Sequence, residues 1–234
     1  MPRAPRPPRF YFNLRSPYNF LALKRLRERH PGLLDRLEFR PFWEPDARSE
    51  KALAEAGATF PYTPMNRAKQ FYILHDVRRL AAAEGIALTW PVDAGPWWEP
   101  VHLAWFLARD AGLGRAWIER ASEARWLEGR DICDPAVVRE LAAEVGLDAE
   151  AVAGAPEEPE LRERGVKALL DVVRDGVFGV PYFVNGSQPF WGLDRVEEFA
   201  ASFGPAAAPA PPAPASVPAA EPRSFDLSHA GGCG

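Results

Sequence analysis

Ser16 follows a short aromatic run, FYFNLR, and precedes Pro17. A serine between the C-terminal end of a strand and the N-terminus of a helix sits among free backbone N–H groups, in the positive field of the helix dipole. Its hydroxyl can simply cap that helix, the commonest duty of a serine there. It can also donate a hydrogen bond to a thiolate brought by a ligand and lower that thiol's pKa, as helix N-termini do for cysteine. A serine cannot form a disulfide. The second place is Val180-Pro181 in GVFGVPYFV. A trans proline may open a strand; a cis bond would leave the Val180 backbone groups to pair with an extended, peptide-like ligand.

Other chemistries find no support in residue spacing. Cys133 and Cys233 are too far apart in sequence to form a Cys-x-x-Cys centre, and two cysteines make no disulfide framework. Cys133 reads as a buried or inert thiol. His30, His75, His102 and His229 lack metal-ligand spacing, and His75-Asp76 reads as a surface pair on a helix. No phosphate-cradling glycine loop is present.

The elements that must position Ser16 and Pro181 follow from periodicity. Residues 9 to 14 read as a strand. Ser16-Pro17 then caps a helix over YNFLALKRLRERH, with apolar residues at Phe20, Leu21, Leu23 and Leu26, basic residues near its end, and a stop at Pro31-Gly32. Residues 36 to 43 form a second strand, parallel to the first because a helix separates them. A run of helices follows, with glycine stops at Gly85, Gly112, Gly129, Gly146 and Gly176. Residues 182 to 185 and 188 to 191 make a hairpin around Asn185-Gly186, and Asp194 caps a last helix. Strand, helix, strand, helical block, two strands and a helix describe an α/β thioredoxin-like sheet with an inserted all-helical subdomain at about 50–176. In that topology Pro181 faces Ser16 across the cleft.

The ends differ from this middle. Prolines crowd residues 1–8 and 204–234, so both read as flexible extensions around a 9–203 domain. Net charge is −4, with Lys+Arg 28 against Asp+Glu 32 and no basic stripe, which disfavours a nucleic-acid partner. No apolar run is long enough for a membrane span, and MPRAPRPPRF is no secretory signal. A cytoplasmic address is the default.

Three blocks in order carry a family resemblance: FYFNLRSPYNFLA, KQFYILHDVRRLAAAEGI and GVFGVPYFVNGSQPFWGLDRVEEF. Together they resemble the 2-hydroxychromene-2-carboxylate isomerase and kappa-class glutathione transferase family, within the DsbA-like thioredoxin superfamily. The third block is the most diagnostic. The resemblance implies that Ser16 hydrogen-bonds a glutathione sulfur and that Val180, before Pro181, pairs with the cysteinyl backbone. It implies that Leu193 and Asp194 hold the γ-glutamyl end, and that Lys69, otherwise a solvated helix lysine, lies near the glycyl carboxylate.

The resemblance also implies an enzyme, a glutathione-dependent isomerase that needs no metal and acts on a small aromatic-derived carboxylate. Its thiolate would add to a conjugated carbon, letting a hemiketal ring open, a bond rotate and a trans-benzylidenepyruvate form. Alternatives are a kappa-like transferase or peroxidase, another low-molecular-weight thiol, and a non-catalytic thiol- or peptide-binding protein; relatives are often homodimers. Ala58 stands where the family places an asparagine that contacts glutathione, and RPFWEP replaces a more aliphatic segment. Tyr18, Trp43, Trp97 and Trp98 are candidates to line a pocket for flat aromatic substrates, with core packing as the alternative for each tryptophan.

Overall fold

The structure is a computed structural model and describes residues 6–62, 64–93 and 95–204. The proposed tail beyond Gly204, with Cys233 and His229, lies outside the described residues, as does most of the N-terminal extension.

Strand β1 (Arg9–Phe12) leads through a tight loop into α1 (Pro17–Arg29), then α2 (Pro31–Leu34) and β2 (Glu38–Pro41). Six helices follow: α3 (Ala47–Glu55), α4 (Arg67–Ala83), α5 (Glu99–Asp110), α6 (Gly114–Trp126), α7 (Pro135–Val145) and α8 (Ala149–Gly154). After a 3-10 turn, α9 (Pro159–Arg174) returns the chain to the hairpin β3 (Tyr182–Asn185) and β4 (Gln188–Trp191), and α10 (Val196–Ala201) closes it. The sheet order is β2-β1-β3-β4, with β1 and β2 parallel and the other pairs antiparallel. This is the DsbA-like thioredoxin arrangement, with the helical block between β2 and β3.

Alternation along β1 sorts the core. Phe10 and Phe12 face the large cluster formed with α1, α10 and the helical block. Tyr11 faces the other way, onto Phe42, Val172, Val177, Val180 and Tyr182. Caps fix the helix starts: Ser16 accepts from the Asn19 amide, and Asp46 starts α3 by accepting from the Ser49 amide. Gly146 ends α7 in the left-handed region at φ 83°.

Four details differ from the sequence reading. Pro31-Gly32 ends α1 but opens the short α2, because Pro31 suits a first helical position. Neither α3 nor α8 was foreseen; both are short for apolar periodicity to register. Asn185 is the last residue of β3, with Gly186 at φ 60° beginning the turn, and its Nδ2 donates to Ser202 Oγ at 2.9 Å. Asp194 does not cap α10: it lies inside a 3-10 turn (Leu193–Arg195), and no side chain caps that helix.

Candidate active site

The β1–α1 loop is tied at each step. Asn13 Oδ1 accepts from the Arg15 amide at 2.8 Å, the Ser16 amide donates to Asn13 O at 3.0 Å, and the Leu14 amide donates to His102 Nε2 at 3.2 Å. His102 lies fully buried on α5 with its Nδ1 2.7 Å from the Trp98 carbonyl. Burial pushes its pKa down to about 3, partly opposed by the Trp98 hydrogen bond, so the ring is neutral and Nε2 is an acceptor. Ser16 therefore stands on a fixed loop at the head of α1. Its Oγ accepts from the Asn19 amide at 3.3 Å, and its own proton remains available to donate.

Ser16 lines a cavity of 370 Å³ between the sheet end and the helical block. Val180, Lys69 and Tyr18 line the same cavity. The Val180-Pro181 bond is cis. A second cavity of 540 Å³ adjoins it and is lined by Val180, Pro181, Leu193, Asp194 and Tyr18, with Arg25, Asp76 and Arg195. Tyr18 and Val180 belong to both, so the two cavities meet at that point.

Electrostatics differ between the two. In the first cavity, Arg15 Nη1 meets Glu44 Oε1 at 2.5 Å, and Arg125 holds both oxygens of Asp93 at 2.7 and 2.9 Å. The Arg125 guanidinium lies over Trp98 and Trp126, at 4.9 and 5.0 Å. The second cavity presents two carboxylates, Asp76 and Asp194, and two guanidiniums, Arg25 and Arg195. Arg25 also donates to Leu193 O at 3.0 Å and pairs with Glu84. Mixed charges of this kind suit an amino-acid head group with an ammonium and a carboxylate. Tyr18 Oη donates to Asp76 Oδ2 at 2.9 Å; burial first, then this bond, raises the phenol's pKa, so Tyr18 stays protonated.

Three substrate-pocket candidates fall elsewhere. Trp43 is fully buried in the core, its Nε1 donating to Glu99 Oε2 at 2.7 Å and its ring stacked on His102. Trp97 donates to Asp46 Oδ2 at 3.1 Å, and neither it nor Trp98 lines the cavity. The aromatic wall is instead Tyr18, Phe42, Tyr62, Trp90, Trp126 and Phe178. Sequence reasoning also missed Asp76, which faces Tyr18 rather than pairing with His75, and Glu44, Asp93 and Arg125. Ala58 lines neither cavity. Cys133 is buried, and desolvation pushes its thiol up to about 12.

Residues 9–204 match the DsbA-like thioredoxin domain, and the chain belongs to that family. Within it, the chain is 31% identical over 195 residues to the 2-hydroxychromene-2-carboxylate isomerase of Sphingobium xenophagum, covering 80% of this chain and 93% of the relative. That kinship makes it an enzyme, an isomerase. A solved 2-hydroxychromene-2-carboxylate isomerase superposes with a TM-score of 0.66 at 22% identity, covering 84% of this chain and 93% of the other. The cytosolic disulfide reductase DsbM from Pseudomonas aeruginosa, solved with GSH, gives a TM-score of 0.53 at 21% identity, covering 78% and 87%. At such identities these two likenesses bear on the fold.

Proposed function

We propose that the protein is a glutathione-dependent isomerase of the 2-hydroxychromene-2-carboxylate type, acting on a small aromatic-derived carboxylate. The observation that carries the reading is the meeting of two cavities of different chemistry at Tyr18 and Val180, with Ser16 in the wall of the first. One is polar with mixed charge and suits a γ-glutamyl group. The other has an aromatic wall and suits a flat acceptor.

The residues present fit the thiol cofactor. The backbone N–H and C=O of Val180 make no hydrogen bond among the described residues, so both are available to a peptide backbone. Asp194 or Asp76 can take the ammonium, and Arg195 or Arg25 the α-carboxylate. Lys69 lines the first cavity and is the residue this reading assigns to the glycyl carboxylate. When bound, glutathione supplies a thiolate that adds reversibly to a conjugated carbon and so permits rotation about that bond. The Ser16 hydroxyl donates to the sulfur, and the α1 N-terminus adds a fixed positive potential. The aromatic wall holds the acceptor flat and excludes water.

Calorimetric titration with reduced glutathione tests the reading, followed by an absorbance assay of 2-hydroxychromene-2-carboxylate with catalytic thiol. Micromolar to low-millimolar binding, weakened about tenfold by Asp194→Ala, together with turnover that does not consume glutathione, is the expected result. Stoichiometric consumption of glutathione would mark a transferase. Absence of binding would leave a different thiol or a non-catalytic role.

A further inference from the structure

A third cleft, of 630 Å³, lies between the open edge of the sheet and the helical block. It shares no lining residue with the two cavities that meet at Tyr18 and Val180. One wall is the stretch 37–41, which contains all of β2. The facing wall is built from the end of α5, the start of α6 and α9.

β2 is an outer strand, paired on one side only. The Glu38 amide donates to Pro8 O at 2.8 Å and the Phe42 amide to Phe12 O at 2.7 Å, both on the β1 side. Backbone groups alternate sides along a ladder. Phe39 therefore turns its N–H and C=O to the free side, and Pro41 turns a carbonyl there without an N–H. An open edge of this kind is a template for another strand. Pro41 restricts it to a short partner and guards against long pairing between copies.

Charge selects the partner. Five cations line the cleft, Arg40, Arg109, Arg115, Arg164 and Lys167, against two carboxylates, Glu38 and Asp171. The chain as a whole carries −4. The acids nearby are divided between cations: Asp110 serves Arg109 and Arg164, and Asp171 serves Arg40 and Arg174. Lys167 is exposed and has no ion-pair partner among the described residues. Arg109 lies over the Trp105 and Phe106 rings at 5.3 and 5.4 Å, and Arg164 over Phe106 at 4.9 Å. Guanidiniums laid on aromatic faces keep N–H edges for acceptors. The five cations come from β2, α5, α6 and α9, so the sequence shows no basic stripe.

We propose that this cleft is a docking site for an acidic, extended segment of a partner protein, which adds to β2 as a short strand. The segment's backbone pairs with Phe39, and its carboxylates meet Arg109, Arg164 and Lys167. The site is separate from the isomerase chemistry and does not depend on that reading.

The test is fluorescence anisotropy at low salt, with the full chain and a fluorescein-labelled hexapeptide of alternating Glu and Val. Saturable one-to-one binding is expected. Lys167→Glu and Arg109→Glu should each weaken it about tenfold or more. If Arg109→Glu melts early, Lys167→Glu alone carries the comparison, since that side chain is exposed. A hexapeptide with the same charges but N-methylated at alternate residues cannot pair with a strand, and should also bind about tenfold more weakly. No saturable binding up to about 1 mM peptide overturns the proposal. So does binding that both charge reversals leave unchanged. Equal affinity for the N-methylated peptide would reduce the site to electrostatic adsorption, and displacement by an equal concentration of single-stranded oligonucleotide would mark a general polyanion patch; either result overturns the proposal.

Discussion

The Leu14 amide donates to Nε2 of His102 at 3.2 Å, two residues before Ser16. The imidazole comes from α5, far along the chain, and it is neutral because its surroundings exclude the charged form. A buried histidine thus acts as a one-proton spacer. Nε2 accepts from the Leu14 N–H, and the Nδ1–H donates to the Trp98 carbonyl. The helical block in this way sets the height of the loop that carries Ser16.

His102→Leu should therefore damage both stability and activity. It strands the Leu14 donor in a dry site and removes the donor to the Trp98 carbonyl. We expect a loss of about 2–4 kcal/mol in urea denaturation and at least a tenfold fall in kcat. His102→Gln keeps an acceptor near Leu14 and should recover part of both. Wild-type values for His102→Leu in both measurements would remove the histidine from the architecture of the site.

The same residue predicts an acid dependence of stability. The folded pKa of His102 is about 3, whereas an unfolded histidine titrates near 6.5. Between these values the unfolded chain binds a proton that the folded chain refuses, so acid favours unfolding. The contribution is complete above pH 6.5 and is lost as pH falls towards 3, at up to about 1.4 kcal/mol per pH unit. Urea midpoints at pH 7.5, 6 and 5 should show wild type falling more steeply than His102→Gln. Parallel curves would mean that the ring is protonated in the folded protein.

The frame of this site was legible in the sequence. Ser16-Pro17 announces a capped helix, the glycine stops punctuate the block, and GVPYFVNGSQPFW spells a hairpin after a proline. The side-chain partners were not. Asp76 looked like one half of a surface pair with His75, yet its carboxylate is claimed by Tyr18 from α1, a partner set by how α4 crosses α1 and not by local pattern. Trp43 follows a strand, where one residue's shift decides between cavity and core; the buried Glu99 carboxylate draws its indole N–H inward. Glu44 and Arg125 gain their meaning from Arg15 and Asp93, each some thirty residues away in sequence, and no periodicity encodes such pairs. The caps of α3 and α8, Asp46 and Asp148, were readable signals beside runs too short to show a face.

Cys133 should be inert. It is buried beside Asp131 and Asp93, and desolvation first, then those charges, push its thiol up to about 12. In a Cys233→Ser background, iodoacetamide at pH 7.5 should leave the folded protein unlabelled over hours and label it at once in urea. Rapid native-state labelling at Cys133 would show that the α6–α7 connection opens readily. Adding Ser16→Cys should restore a fast-reacting thiol, because that position lies at the α1 N-terminus and borders the cavity.

The sharpest test of the chemistry separates the two duties of Ser16. As a cap, its Oγ accepts from the Asn19 amide at 3.3 Å; as a donor, its proton is directed to the ligand sulfur. Ser16→Ala removes both, and should cost about 1 kcal/mol of stability and one to two orders of magnitude in turnover, about 1.4–2.8 kcal/mol. Ser16→Gly removes the hydroxyl but stays within a few tenths of a kcal/mol as a cap. If the hydroxyl stabilises a thiolate, the two variants lose turnover alike although only Ser16→Ala loses stability. Both should also move the acid limb of kcat/KM to higher pH, because the bound thiol no longer has its donor. Full turnover in Ser16→Gly would confine the serine to capping and pass thiolate stabilisation to the helix N-terminus alone.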